Sequence, residues 1–142
     1  LYDLCAQSVE RLSPVAARQS VTLALTGEHA EIEGVEQLLK EMIYNLLDNA
    51  IKYNVPGGSV TASVRKSAGR TVLSVSDTGI GIPYAHQPRV FERFYRVDKS
   101  HSKEVGGTGL GLSIVRHAAQ YHGARLELKS QPGKGTTITV TF

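Results

Sequence analysis

The sequence predicts an α+β fold: a two-layer α/β sandwich in which helices cover one face of a mixed, mostly antiparallel sheet. Three observations predict it. The apolar residues Val35, Leu38, Leu39, Met42, Ile43, Leu46, Leu47, Ala50 and Ile51 recur at helical spacing. Two pairs of alternating segments, SVTASVRK with TVLSVSD and ARLELKS with TTITVTF, are joined by the turn-forming stretches SAGR and QPGKG, as in hairpins. Helices and strands are interspersed, and hairpins outnumber regular strand–helix–strand units, which places helices on a largely antiparallel sheet.

Taken in order, LYDLCAQSVERLSPVAARQS reads as helical, with a kink or restart near Ser13 and Pro14. VTLAL alternates and is expected to be a strand, with HAEIEG as its short partner after the TGE turn. The apolar helix ends near Tyr53, before VPGG. A glycine- and proline-punctuated stretch, DTGIGIPYAHQPRVFERFYRVDKSHSKEVGGTG, carries one short helical candidate around Tyr84 to Val90. A loop of that length inside a compact domain is usually functional or mobile. LGLSIVRHAAQYHG then makes a helix stopped by Gly123.

The 142 residues suit a single domain with its own core. Hydrophobic residues at 41% and charged residues at 20% describe a globular chain. The net charge of +3 comes with no basic run, so nucleic acid is not the expected partner. No apolar stretch reaches the roughly 18 residues a membrane span needs, so no direct membrane contact is expected. Cys5, the single cysteine, excludes an internal disulfide and reads as a small apolar residue in the core.

Chemistry concentrates in three places. In EMIYNLLDNAIKY, Glu41, Asn45, Asn49 and Lys52 fall within a helical stripe about 80° wide, opposite the apolar arc. Asparagine is roughly 0.6 kcal/mol worse than alanine inside a helix, so two of them on one stripe ask for a reason. A carboxylate, two amides and an ammonium suit a metal-nucleotide: an amide oxygen ligates Mg²⁺ without adding charge, and a lysine neutralises phosphate. A solvated polar face is the competing explanation. DTGIGIP follows a strand and supplies the Asp77 carboxylate beside Gly79 and Gly81, which let a ligand approach the backbone. GGTGLGL opens directly into a helix, where free backbone N–H groups cradle phosphate. It lacks the Gly-Lys-Ser/Thr of the phosphate loop, and it follows a loop rather than the strand of a dinucleotide fingerprint.

With these residues in place, the sequence resembles sensor histidine kinases. ExxxNLLDNAIKY, DTGIGIP, FERFYR and GGTGLGL stand in the order of that family's N, G1, F and G2 boxes. The resemblance covers about residues 20–142 and implies the Bergerat ATP-binding fold shared with gyrase, mismatch-repair and chaperone ATPases. It implies Glu41 as catalytic acid/base and Asn45 as Mg²⁺ ligand. Asn49 and Lys52 would contact phosphate or ribose, Tyr53 would pack on adenine, and Asp77 would accept from the adenine amine beside Gly79 and Gly81. Gly107, Thr108, Gly109, Leu110 and Gly111 would line the phosphates. Residues from about Pro83 to Gly106 would form a lid over ATP, anchored by Phe91 and Phe94, with Arg93, Arg96 and Lys99 as candidate phosphate contacts.

The resemblance further implies one catalytic domain over residues 1–142, its residues 1–19 a helical segment following a missing dimerisation domain. The partners would be that domain, whose histidine accepts the phosphoryl group, and a response regulator. The location would be cytoplasmic, in a parent protein anchored in the cell membrane. His29, His86, His101, His117 and His122 all lack the context of a phosphoacceptor and read as surface or packing residues. Spaced five apart, His117 and His122 do not make a zinc pair on one helix face. Alternatives are an anti-sigma-factor-type serine kinase, a silent nucleotide-binding docking module and, from the aromatic-basic interleaving of FERFYR alone, RNA stacking.

Overall fold

The computed structural model describes residues 1–97 and 110–142. Its elements run α1 (Tyr2–Arg18), β1 (Thr22–Gly27), α2 (Glu36–Lys52), β2 (Ser59–Ser67), β3 (Arg70–Asp77), a short 3₁₀ turn (Tyr84–Arg89), α3 (Gly111–Tyr121), β4 (Arg125–Gln131) and β5 (Gly135–Thr141). The five strands form one sheet in the order β1-β2-β3-β5-β4. Only β1 and β2 run parallel; the remaining pairs are antiparallel, so the expected mixed, mostly antiparallel sheet is present.

Two expectations about local structure fail. HAEIEG forms no strand, and β1 pairs instead with β2, in a register that sets Thr22 opposite Ser59. The alternation that suggested a strand has another cause: Ala30 and Ile32 turn toward the core from an irregular segment leading back to α2. Antiparallel neighbours need only a short turn, whereas a parallel pair needs a crossover, here supplied by α2. The restart at Pro14 does not occur either, since α1 continues through it. Pro14 and Glu10 are both exposed, so water can take the carbonyl left without its helical donor, and the Ser13 hydroxyl donates to the Val9 carbonyl at 2.7 Å.

The sheet register determines where polar residues fall. One row across the inner face reads Leu25, Ala62, Val75, Ile138 and Leu128, all packed in the single core with α1, α2 and α3. The next inward row reads Leu23, Val60, Asp77, Thr136 and Ser130. Inward-facing positions therefore change from apolar to polar at one end of β3, β5 and β4. The opposite face is hydroxyl-rich, with Ser74 bonded to Thr139 and Ser76 to Thr137 across β3 and β5. Against the inner face, α2 buries Leu39, Met42, Ile43, Leu46, Leu47, Ala50 and Ile51, the arc its periodicity selects. Cys5 is fully buried, and burial raises its thiol pKa to about 12. Among the described residues, no helix is long and apolar enough to cross a membrane.

Candidate functional site

At the polar end of the inner face lies a cleft of about 580 Å³ between α2, the sheet, the segment after β3 and the start of α3. Its lining includes Asn45, Asn49, Lys52, Tyr53, Asp77, Gly81 and Gly111, seven of the thirteen residues singled out from the sequence. Glu41, Gly79 and Leu110 are described but lie off its walls. Gly107, Thr108 and Gly109, with Lys99 and His101, lie outside the described residues.

Asp77 ends β3. Its Oδ1 accepts from the Gly79 N–H at 2.9 Å and the Thr136 N–H at 3.2 Å, and among the described residues Oδ2 has no partner. Burial raises its carboxyl pKa, and the two backbone bonds pull it back. The carboxylate is thereby aimed, with one oxygen fixed and the other available to a ligand. The glycines beside it answer first to packing. A Cβ on Gly79 would sit 2.3 Å from the Tyr53 carbonyl, which also accepts from the Ile80 N–H at 3.0 Å. Gly81, at φ +70°, passes the Gln131 carbonyl so closely that a Cβ would stand 2.1 Å away. The DTGIGIP loop is thus wedged between the end of α2 and the β4–β5 turn, where the Ser130 hydroxyl accepts from the Ile82 N–H at 2.8 Å.

At the other end, the Asn45 amide donates to the Glu41 carbonyl one turn earlier, at 2.7 Å. Its Oδ1 then faces α3, 3.2 Å from where a Cβ on Gly111 would stand. Glu41 itself is exposed and accepts from the Gln37 amide at 3.2 Å. Lys52 does not present a free charge: its ammonium meets the Asp48 carboxylate at 3.0 Å, and both line the cleft. Sequence reasoning passed over Asp48, although its i,i+4 relation to Lys52 signals the pair.

Along the outer edge, Tyr95, Arg96 and Val97 complete the wall. Arg89 stacks on the Tyr95 ring with its guanidinium carbon 4.5 Å from the centroid, and the Tyr95 hydroxyl bonds to Nδ1 of His86. Of the three basic residues expected near phosphate, Arg96 lines the cleft, whereas Arg93 lies over the Phe94 ring instead. The two expected lid anchors also separate. Phe91 packs on the core, but Phe94, 63% exposed at φ +64°, anchors nothing among the described residues.

An oxygen-rich site for a metal held by protein alone is absent among the described residues, which include no cluster of three His, Cys, Asp or Glu. One amide oxygen at the mouth of an otherwise open cleft fits a magnesium ion that takes most of its ligands from phosphate and water. The apolar middle, with Val75, Ile80 and Ile138, suits a planar base below Asp77.

Residues 34–142 match the model of the family of histidine kinase-, DNA gyrase B- and HSP90-like ATPases. The chain belongs to this family. As an ATP-binding domain of that family, it is 44% identical over 125 residues to the sensor histidine kinase YkoH of Bacillus subtilis (strain 168), 88% of this chain and 27% of that protein. It is 51% identical over 109 residues to the sensor-like histidine kinase SenX3 of Mycolicibacterium smegmatis, 77% of this chain and 28% of that protein. The chain thus spans about a quarter of the length of these relatives. Among solved structures, the mycobacterial sensor histidine kinase MprB superposes with a TM-score of 0.85 at 29% identity, over 99% of this chain and 93% of that one. Full-length ShkA in complex with AMPPNP gives 0.84 at 27% identity, over 99% of this chain and 29% of that one. The family's ATPase fold and this chain's α+β architecture agree.

Proposed function

We propose that this chain is the catalytic and ATP-binding domain of a two-component sensor histidine kinase. It binds Mg-ATP and transfers the γ-phosphoryl group to a histidine on a separate dimerisation domain, for relay to a response regulator. The observation that carries this reading is the polarity of the cleft, with an aimed carboxylate at one end and an amide oxygen facing a helix N-terminus at the other. The relatives, named as sensor kinases and about three times as long, support it. Residues 1–19 then join this domain to the dimerisation domain, in a parent protein anchored in the membrane with this part on the cytoplasmic side.

In this assignment Asp77 Oδ2 accepts the adenine amine, and Tyr53 packs beside the base as Gly81 closes the floor. Asn49, Lys52 and Arg96 reach ribose and phosphate, which requires Lys52 to exchange Asp48 for the nucleotide. The backbone at residues 107–111 lines the phosphates. Magnesium, held by Asn45, neutralises charge on the transferring group when bound. Glu41 takes the proton of the attacking histidine as it closes on the cleft mouth. Catalysis comes mainly from positioning and charge neutralisation.

The test is acid-labile phosphohistidine formed from labelled ATP when a dimerisation domain is supplied in trans. The chain alone should bind ATP yet stay unlabelled. Glu41→Ala should lose transfer by about 100-fold or more with nearly unchanged ATP affinity, as expected of a group acting in the transition state. Asn45→Ala should lose transfer and also about tenfold in Mg-ATP affinity, leaving binding without Mg²⁺ unaltered. Acid-stable label would favour a serine kinase, and full activity in Glu41→Ala would remove its assignment.

A further inference from the structure

Helix α2 begins without a side-chain cap. Its N-cap is Val35, and the third helical position, where a capping box places Glu or Gln, is Leu38. The Val35 N–H is nevertheless satisfied: it donates to Nε2 of His122 at 3.0 Å, across 87 residues of sequence. An Nε2 that accepts leaves the ring hydrogen on Nδ1, and Nδ1 meets the Ala118 carbonyl at 2.7 Å, so the imidazole is used at both nitrogens as one neutral tautomer. Phe142 approaches this ring edge-on, with centroids 6.2 Å apart, and Gly34 passes so close that a Cβ there would lie 2.6 Å from Nε2.

The position of this contact gives it a consequence at the cleft. Helices α2 and α3 pack antiparallel along their length, and at the cleft end of that interface Asn45 stands against Gly111. From Asn45 back to Val35 is about 15 Å along α2, and from Gly111 on to His122 about 16 Å along α3, at 1.5 Å per residue. The two contacts therefore pin α3 to α2 at both of its ends. Sliding α3 would move its N-terminus, the phosphate side of the cleft, relative to the Asn45 oxygen. We propose that His122 is a positioning residue for nucleotide phosphate: by capping α2 from the end of α3, it fixes the spacing between Asn45 and the start of α3. The proposal rests on the ATP assignment above and adds a residue outside the four sequence boxes.

Affinities for ATP, with Mg²⁺, and for adenosine separate this from a general structural role, because adenosine touches only the Asp77 end. His122→Phe keeps an aromatic ring against Phe142 and removes the acceptor. It should lose about tenfold in ATP affinity, the effect of one good hydrogen bond, with adenosine affinity unchanged. His122→Gln, whose amide oxygen can reach the Nε2 position, should recover most of the loss. Val35→Pro deletes the donor with the imidazole intact, so it should reproduce the loss, and pairing it with His122→Phe should add nothing further. That variant also decides the matter should His122→Phe fail to fold. Wild-type ATP affinity in either folded variant, or an equal loss for adenosine and ATP, would overturn the positioning role. A wild-type chain that binds adenosine but gains nothing from the triphosphate would overturn the phosphate assignment beneath it.

Discussion

At the Asp77 end of the cleft, the carboxylate is set by main chain: two backbone donors hold Oδ1, and the loop around it is wedged between the carbonyls of Tyr53 and Gln131. Along α2, by contrast, side chains are paired with their own helix: Asn45 with the Glu41 carbonyl, Lys52 with Asp48, Glu41 with Gln37. The first arrangement is preorganised, because moving Asp77 means moving β3, β5 and the turn. The second is exchangeable, because each partner can be replaced by a ligand at the cost of one exposed or half-exposed contact. Under the ATP assignment, a base recognised by a fixed acceptor and a triphosphate received by adaptable side chains suits a transfer in which bonds change only at the phosphate end.

Asp77→Asn should break the comparison most. An amide keeps an oxygen for Gly79 and Thr136 but turns a donor toward the adenine amine, so ATP affinity should fall about 100-fold, as for a buried group left unpaired. Stability should move the other way. Burial raises the folded-state pKa of Asp77 above that of an ordinary aspartate, so the ionised form is disfavoured in the fold. Below the ordinary aspartate range both states are protonated and nothing is lost. As pH rises from there through the raised folded value, this residue's contribution to stability falls, and it stays constant above. Melting without nucleotide, followed from acid to neutral pH, should therefore show the asparagine variant gaining on wild type across that window. A variant that binds ATP normally, or melts progressively lower than wild type as pH rises, would contradict this account.

Gly79→Ala probes the wedge itself. The new methyl meets the Tyr53 carbonyl and must shift backbone, costing about 1–3 kcal/mol, the range for overpacking. The melting temperature should drop, and ATP affinity should follow because Asp77 is displaced. Unaltered melting would mean that this end yields as easily as the other. The smallest effect is expected from Asp48→Asn, which frees Lys52. A partly exposed ion pair contributes little, so stability should change by less than about 1 kcal/mol. ATP affinity should rise a few-fold at low salt and converge on wild type as salt screens the lysine. A loss of affinity would place Asp48 among the ligand contacts.

The same division explains what the sequence revealed. The α2 stripe was legible because a helix converts spacing directly into a face, and Asn45, Asn49 and Lys52 reach the cleft from it. Both hairpins were legible because their turns carry glycine between alternating segments. Pairing of β1 with β2 was not, since a parallel partner lies beyond a whole helix and leaves no local mark. HAEIEG misled for a related reason: period-two burial of Ala30 and Ile32 arises in any extended chain lying on a core. Tyr95 and Ile138 reach the cleft only through tertiary contacts, and the inward row carrying Asp77 with Thr136 needs the strand register. The role of Gly79 and Gly81 in backbone packing appears only once the Tyr53 and Gln131 carbonyls are in place.

The buried thiol of Cys5 gives the domain a built-in clock. A thiol fully enclosed by α1 and its neighbours, with a pKa near 12, holds almost no thiolate at neutral pH and offers no path to a reagent. Modification must wait until α1 lifts from the sheet. With no second cysteine to compete, the labelling rate counts those excursions alone, and its dependence on reagent concentration separates how often α1 opens from how long it stays open.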